Sequence, residues 1–201
     1  MAEYECASCE DRVCREGVDC YDAAERVKQL YIEADPECIQ LLQTAAKVEA
    51  EGYMRWPRAL EIIRFAQKAG FTHLGVAFCI GLAEEARTYV DLLTKTFEVS
   101  SVCCKVCGVF KEEFKLAKLR PDGPNETMCS PLGQAALLNE AGTQLNIVMG
   151  LCVGHDALFA RQSKAPVTTL IAKDRVLAHN PSGALYSRYW RKVLREKVFT
   201  R

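Results

Sequence analysis

Residues 73–79 read HLGVAFC, and residues 80–86 read IGLAEEA. The first stretch is a near-continuous apolar run. A strand covered on both faces has that composition, whereas a strand with one wet face alternates. The second stretch suits a helix. Farther on, 145–152 read LNIVMGLC and 153–159 read VGHDALF. Both places share one local pattern: an apolar strand, then Cys, a β-branched residue and Gly, then a helix.

Working outward, FEVSSVCC (97–104) and APVTTLIAKD (165–174) read as two more strands. Helical stretches separate the strands: Leu82 to Thr94, PLGQAALLNEAG (131–142) with Gly142 marking its end, and HDALFARQ (155–162). Strand and helix therefore alternate from residue 73 onward. That predicts an α/β fold, a parallel sheet with helices on both faces. Right-handed crossovers make 2-1-3-4 the most economical order for the four strands, a small doubly wound, Rossmann-like sheet.

Ahead of the sheet, DCYDAAERVKQLYI (19–32) reads as a helix. Asp35 and Pro36 open another, Asp as the cap and Pro in the first turn, which runs to Glu51. WPRALEIIRFAQKAG (56–70) is a third, with Leu60, Ile63 and Ala66 along one face and Gly70 as its stop. This helical part, 21–70, is assigned with the sheet to one α/β domain of residues 21–201. Residues 1–20 form a separate Cys-rich segment without apolar periodicity. Residues 105–129 read as an irregular, charged excursion, and Pro181 as the start of a terminal helix.

Twenty-six Lys and Arg balance 26 Asp and Glu over 201 residues, so no basic face for a nucleic acid is expected. SRYWRKVLREK (187–197) reads as the solvated face of a last helix. The start, MAEYECASCEDRVC, is polar and acidic, and no apolar run is long enough to span a bilayer. The expectation is no signal peptide, no membrane partner and a cytoplasmic location. The 11 cysteines are odd in number, so metal binding or thiol chemistry is favoured over a disulfide framework. Cys38, isolated in ADPECIQLL, reads as a small buried hydrophobe. One of the adjacent Cys103 and Cys104 should face the core.

The predicted order makes strands one and three neighbours at the point where winding reverses. Ligands of open α/β sheets sit there, at the carboxyl ends of the strands. Cys79 and Cys152 end those two strands, and Gly81 and Gly154 permit tight turns and close backbone approach. Helix N-termini beyond them favour thiolates, the metal-binding form. Cys104, Cys129 and His155 are expected at the same rim. A set drawn from these five suits tetrahedral zinc or an iron–sulfur cluster. Asp156 could orient His155 from behind. Lys173, Asp174, Arg175, His179 and Asn180 follow strand four on the rim side.

Cys6, Cys9, Cys14 and Cys20 follow the spacing C-x2-C-x4-C-x5-C. Four thiols in so short a segment suit a four-thiolate metal shell, with binding supplying the folding energy. No P-loop, G-x-G-x-x-G, G-x-S-x-G or H-E-x-x-H pattern is present.

The combination of CASC, AFCIGL, MCSPLGQAALLNE, GLCVGHDALF and APVTTLIAKDRVLAHNP resembles a cysteine-rich family of uncharacterised metal-binding proteins, domain of unknown function 1847. The resemblance covers nearly the whole chain. It implies metal binding and brings no established reaction. The positions it carries over are Cys6, Cys9, Cys14, Cys79, Cys104, Cys129, Cys152, His155, Lys173, Asp174, Arg175, His179 and Asn180. VCCKVCG departs from the family pattern, which has one thiol before the Lys.

The leading expectation is a metalloprotein with an N-terminal four-cysteine site and a Cys/His rim site. An iron–sulfur cluster in either would imply a redox role and a redox partner. One alternative is a metal-dependent enzyme, with His155 or Asp174 as acid or base and a small-molecule ligand at an open rim position. Another is a binding module with structural zinc, whose crevice holds an anion.

Overall fold

A computed structural model describes residues 4–199. After two short 3-10 turns at Cys6–Ser8 and Val13–Glu16 come α1 (Ala24–Ile32), α2 (Pro36–Gly52) and α3 (Arg58–Ala69). The sheet region follows as β1 (His73–Phe78), α4 (Ala83–Leu93), β2 (Glu98–Cys103), α5 (Pro131–Glu140), β3 (Leu145–Met149), α6 (His155–Gln162) and β4 (Val167–Ile171). Two helices close the chain, α7 (Ser182–Tyr186) and α8 (Arg188–Phe199).

The four strands are parallel, in the order β2-β1-β3-β4. This is the expected doubly wound sheet. The central strand β3 is buried along its whole length, and β1 nearly so. Their apolar runs follow from having helices above and below. Side chains alternate between the faces. Leu74, Val76, Leu145 and Ile147 pack against Ile62 and Ala66 of α3 and Tyr89 and Leu93 of α4. On the other face Ala77 and Val148 pack with Ala135 and Leu138 of α5 and Phe159 of α6. Cys79 and Cys104 belong to this second cluster.

The N-terminal helices are held unevenly. Asp35 caps α2, its carboxylate accepting from the Glu37 N–H at 2.8 Å. Arg58 on α3 donates to the Thr169 carbonyl at 2.6 Å and the Thr168 hydroxyl at 3.2 Å, pinning that helix to the edge strand β4. No residue of α1 is buried, and none of residues 4–20 is buried either.

Two expectations need correction. Cys38 is exposed, not packed. The buried stripe of α2 runs through Thr44, Val48 and Gly52, spaced by four, and Cys38 lies off it. The terminal helix is broken in two at Ser187, which takes an extended conformation. Its hydroxyl accepts from the Trp190 N–H at 3.3 Å and so caps α8. Among the described residues, no helix is long and apolar enough to cross a membrane.

Candidate functional site

The sheet brings the cysteines of four separate segments to one rim. The Cys79 N–H donates to the Met149 carbonyl at 3.0 Å, and the Cys104 N–H donates to the Phe78 carbonyl at 2.8 Å. These bonds close the ladders at their last registered pairs, Phe78 with Met149 and Phe78 with Cys103, and Cys79 and Cys104 are the next residues along. Cys79 and Cys104 are therefore neighbours on adjacent chains, 8% and 3% exposed. The Ser130 N–H donates to the Cys104 carbonyl at 2.8 Å, which anchors the Cys129 segment beside them.

On the third strand, Gly150 takes φ +65, and its N–H donates to the Ile171 carbonyl at 2.7 Å. A Cβ there would lie 2.1 Å from Leu82, so both the turn and the space require glycine. The Cys152 carbonyl accepts from the His155 and Asp156 N–H groups at 2.9 and 3.1 Å, opening the first turn of α6. Gly154, at φ +83, precedes that helix. Gly81 differs, because it lies in a 3-10 turn, Ile80–Leu82, that separates Cys79 from α4. The nearest atom to a Cβ at Gly81 would be the Cys79 sulfur, at 3.9 Å.

Cys79, Cys104, Cys129, Cys152 and His155 all line one cavity of about 720 Å³. Of the three thiols in VCCKVCG, only Cys104 is at its wall. Lys105, Lys111, Lys173 and Arg175 line it too, against a single carboxylate, Glu126. The charge at this rim is therefore positive, although the whole chain is neutral.

The electrostatics separate the thiols. Burial pushes Cys79 up, but the Gly81 N–H, the Lys173 ammonium and the Cys104 thiol together outweigh it, and the net direction is down. Cys104 is pushed up to about 12, first by burial and then by Cys129, Cys79 and Cys103, against an opposing N–H from Ile80. That N–H lies 3.4 Å from the Cys104 sulfur. Arg175 donates to the Cys152 sulfur at 3.1 Å, and this bond holds the guanidinium charged. Burial lowers the His155 pKa, and Lys105, Lys111 and Arg175 add to that, while Asp156 opposes it. His155 is thus held as the neutral imidazole that can ligate a metal.

The excursion at 105–129 covers one side of this cavity. A bridge between Phe110 and Thr127 ties its two ends. Lys111 pairs with Glu126 at 2.7 Å, and Lys118 with Glu112 at 3.3 Å. Lys105 reaches the Thr127 carbonyl. Gln134 on α5, fully buried, donates to the Phe78 and Val102 carbonyls at 3.2 and 2.8 Å, bracing the strand ends just before the thiols. Its Oε1 has no hydrogen-bond partner among the described residues. The sequence reading missed Lys105, Lys111, Glu126 and Gln134. Only Lys105 carried a signal, through its place beside Cys104.

Other candidates lie elsewhere or are engaged locally. The Asp174 carboxylate accepts from the Val176 and Leu177 N–H groups at 2.9 and 2.8 Å, holding the turn after β4. His179 lines the cavity, and its Nδ1 accepts from the Asp174 N–H at 3.1 Å. The carboxylate of Asp156 accepts from the Ala157 N–H at 2.8 Å. Cys6, Cys9, Cys14 and Cys20 are all exposed and lie away from the cavity wall. The Arg12 N–H donates to the Cys9 sulfur at 3.4 Å, and the Cys6 sulfur is 3.5 Å from the Tyr21 hydroxyl. Among the described residues, no three His, Cys, Asp or Glu side chains lie close enough together to hold a metal ion as they stand.

The model of one family matches residues 16–170, which take in Cys20, all four rim cysteines and His155. The chain belongs to the DUF1847 family of proteins of unknown function. The match begins after Cys14 and ends before Lys173, so the DUF1847 region holds the strand-end thiols but not the loop that carries Arg175. An uncharacterised protein of Methanocaldococcus jannaschii is 47% identical over 192 residues, 95% of this chain and 98% of its own. The chain matches no solved structure.

Proposed function

We propose that this DUF1847 protein is a metal-binding protein whose rim cysteines, Cys79, Cys104, Cys129 and Cys152, hold zinc or an iron–sulfur cluster, with His155 as a further or substitute ligand. One observation carries the reading: four thiols from four segments, distant in sequence, line one cavity with a neutral imidazole. Chance packing of small hydrophobes does not require convergence at a strand-end switch point.

The donor set fits a soft cation. Cys104 is held protonated by burial and by the thiols around it, and a cation among them would reverse that pressure. A divalent ion on four thiolates carries surplus negative charge, which Lys173 and Arg175 offset beside Cys79 and Cys152. The sulfurs must close in by side-chain rotation to complete such a shell, since they do not form one as they stand. Zinc would supply structure or Lewis acidity, and a cluster would supply electron transfer with a redox partner.

The N-terminal Cys6, Cys9, Cys14 and Cys20 form the second site of this proposal, in a segment of their own. The N–H to sulfur bond onto Cys9 supports it, because thiolate ligands are stabilised by such donors. The abundance of free thiols suits a reducing cytoplasm.

The volume of the cavity favours a second reading for the same rim. About 720 Å³ exceeds what an ion needs, and the cationic wall suits a small anionic ligand or substrate beside the metal. Absorption spectra and metal analysis of anaerobically purified protein test the proposal. Iron with acid-labile sulfide and visible colour identifies a cluster; colourless protein with zinc identifies a zinc site. Protein with neither metal contradicts the proposal.

A further inference from the structure

We propose that Cys79 and Cys104 form a dithiol–disulfide couple that exchanges with small, carboxylate-bearing disulfides entering the rim cavity. The proposal rests on the reading of the rim as a thiol site, not on which metal that site takes. The register is the basis. Cys79 and Cys104 stand one step beyond the pair Phe78 and Cys103 on adjacent parallel strands, and the Cys104 N–H still donates to the Phe78 carbonyl. Adjacent strands lie about 4.8 Å apart, inside the roughly 4.4–6.8 Å Cα separation that disulfides span. Residues in parallel register project to the same side, and both thiols belong to the same cluster on one sheet face. Both residues also line the same cavity.

Access and charge define the oxidant. Both cysteines line a cavity shared with four Lys or Arg side chains and one carboxylate, so an anionic disulfide is drawn in and a cationic one is repelled. Cys79 is the more exposed of the two, 8% against 3%, which makes it the first attacker. Its thiolate attacks one sulfur of the small disulfide, and the other half leaves as a thiolate. Cys104 then gives up its proton to solvent and attacks the Cys79 sulfur, expelling the second small thiolate. Two electrons pass from the protein to the disulfide, one protein S–S bond forms, and two small thiols are released. A sulfur in a disulfide has no thiolate to offer a metal, so oxidation of this pair and occupation of the rim by metal exclude one another.

The test uses the full chain, reduced, stripped with a chelator and analysed for metal before and after stripping, so that the metal reading is decided on its own. Oxidised glutathione is added, remaining thiols are alkylated, and disulfides are mapped by peptide mass spectrometry. The expected result is a Cys79–Cys104 linkage as the main rim product, together with a glutathione adduct on Cys79 in Cys104→Ser. Cystamine, the cationic counterpart, should react at least tenfold more slowly. Cys79 and Cys104 both remaining alkylatable after the exposed N-terminal cysteines have oxidised would overturn the proposal. The wild-type map decides this even if the variant fails to fold.

Discussion

Arg175, on the loop after β4, donates to the sulfur of Cys152, at the end of β3, across 3.1 Å. The bond crosses the rim and supplies positive charge at a thiol. In the proposed metal state that charge offsets the thiolate shell. Replacing Arg175 by Leu should lower zinc or cluster retention by about tenfold or more, the usual scale for a partner behind a ligand. Arg175→Lys keeps the charge but loses the fixed fork and should fall between. Competition against a graded chelator series reads both.

The thiols at the two neighbouring strand ends should differ in reactivity. Cys79 is driven down, and Cys104 is pushed up to about 12. Only thiolate is alkylated, so in reduced, metal-free protein iodoacetamide should label Cys79 at least about tenfold faster than Cys104 at pH 8. Equal rates, followed by peptide mass spectrometry across pH, would contradict this electrostatic picture.

His155 sets an acid limit on stability. Its folded pKa is depressed below 6.5 by burial and three cations. Its contribution is thus fully present above the unfolded value and is lost as pH falls below that value and through the folded one. Denaturant melts of metal-free protein between pH 7.5 and 5 should show this loss, and His155→Gln should flatten the same window. A variant whose acid slope matches wild type would show that His155 is not responsible.

Gly150 is required twice over, by its φ of +65 and by Leu82. Gly150→Ala should cost about 2 kcal/mol or more, combining left-handed strain with overpacking. Gly142→Ala, at φ +70 with nothing within 4 Å of the new Cβ, should cost only about 1 kcal/mol. Chemical denaturation of the two variants separates the effects.

The sheet was legible because β1 and β3 are buried on both faces, and such strands announce themselves as unbroken apolar runs. Their Cys-x-Gly endings mark the rim in the sequence itself. Gly81 was read in part for the wrong reason, since its conformation is ordinary and its service is an N–H beside Cys79. Lys111 and Glu126 are invisible in the sequence because the excursion at 105–129 has no periodicity, and the ion pair that joins them spans 15 residues. Cys38 misled because a cysteine among apolar neighbours looks buried unless the helix phase is worked out from Thr44, Val48 and Gly52.

The central claim is that the strand-end thiols bind metal as one site. The most direct measurement is metal content per chain in anaerobically purified wild type and in Cys79→Ser/Cys152→Ser, with circular dichroism confirming the fold of both. The account predicts that the double variant loses the rim metal and keeps whatever the N-terminal cysteines hold. A folded double variant carrying as much metal as wild type would contradict it.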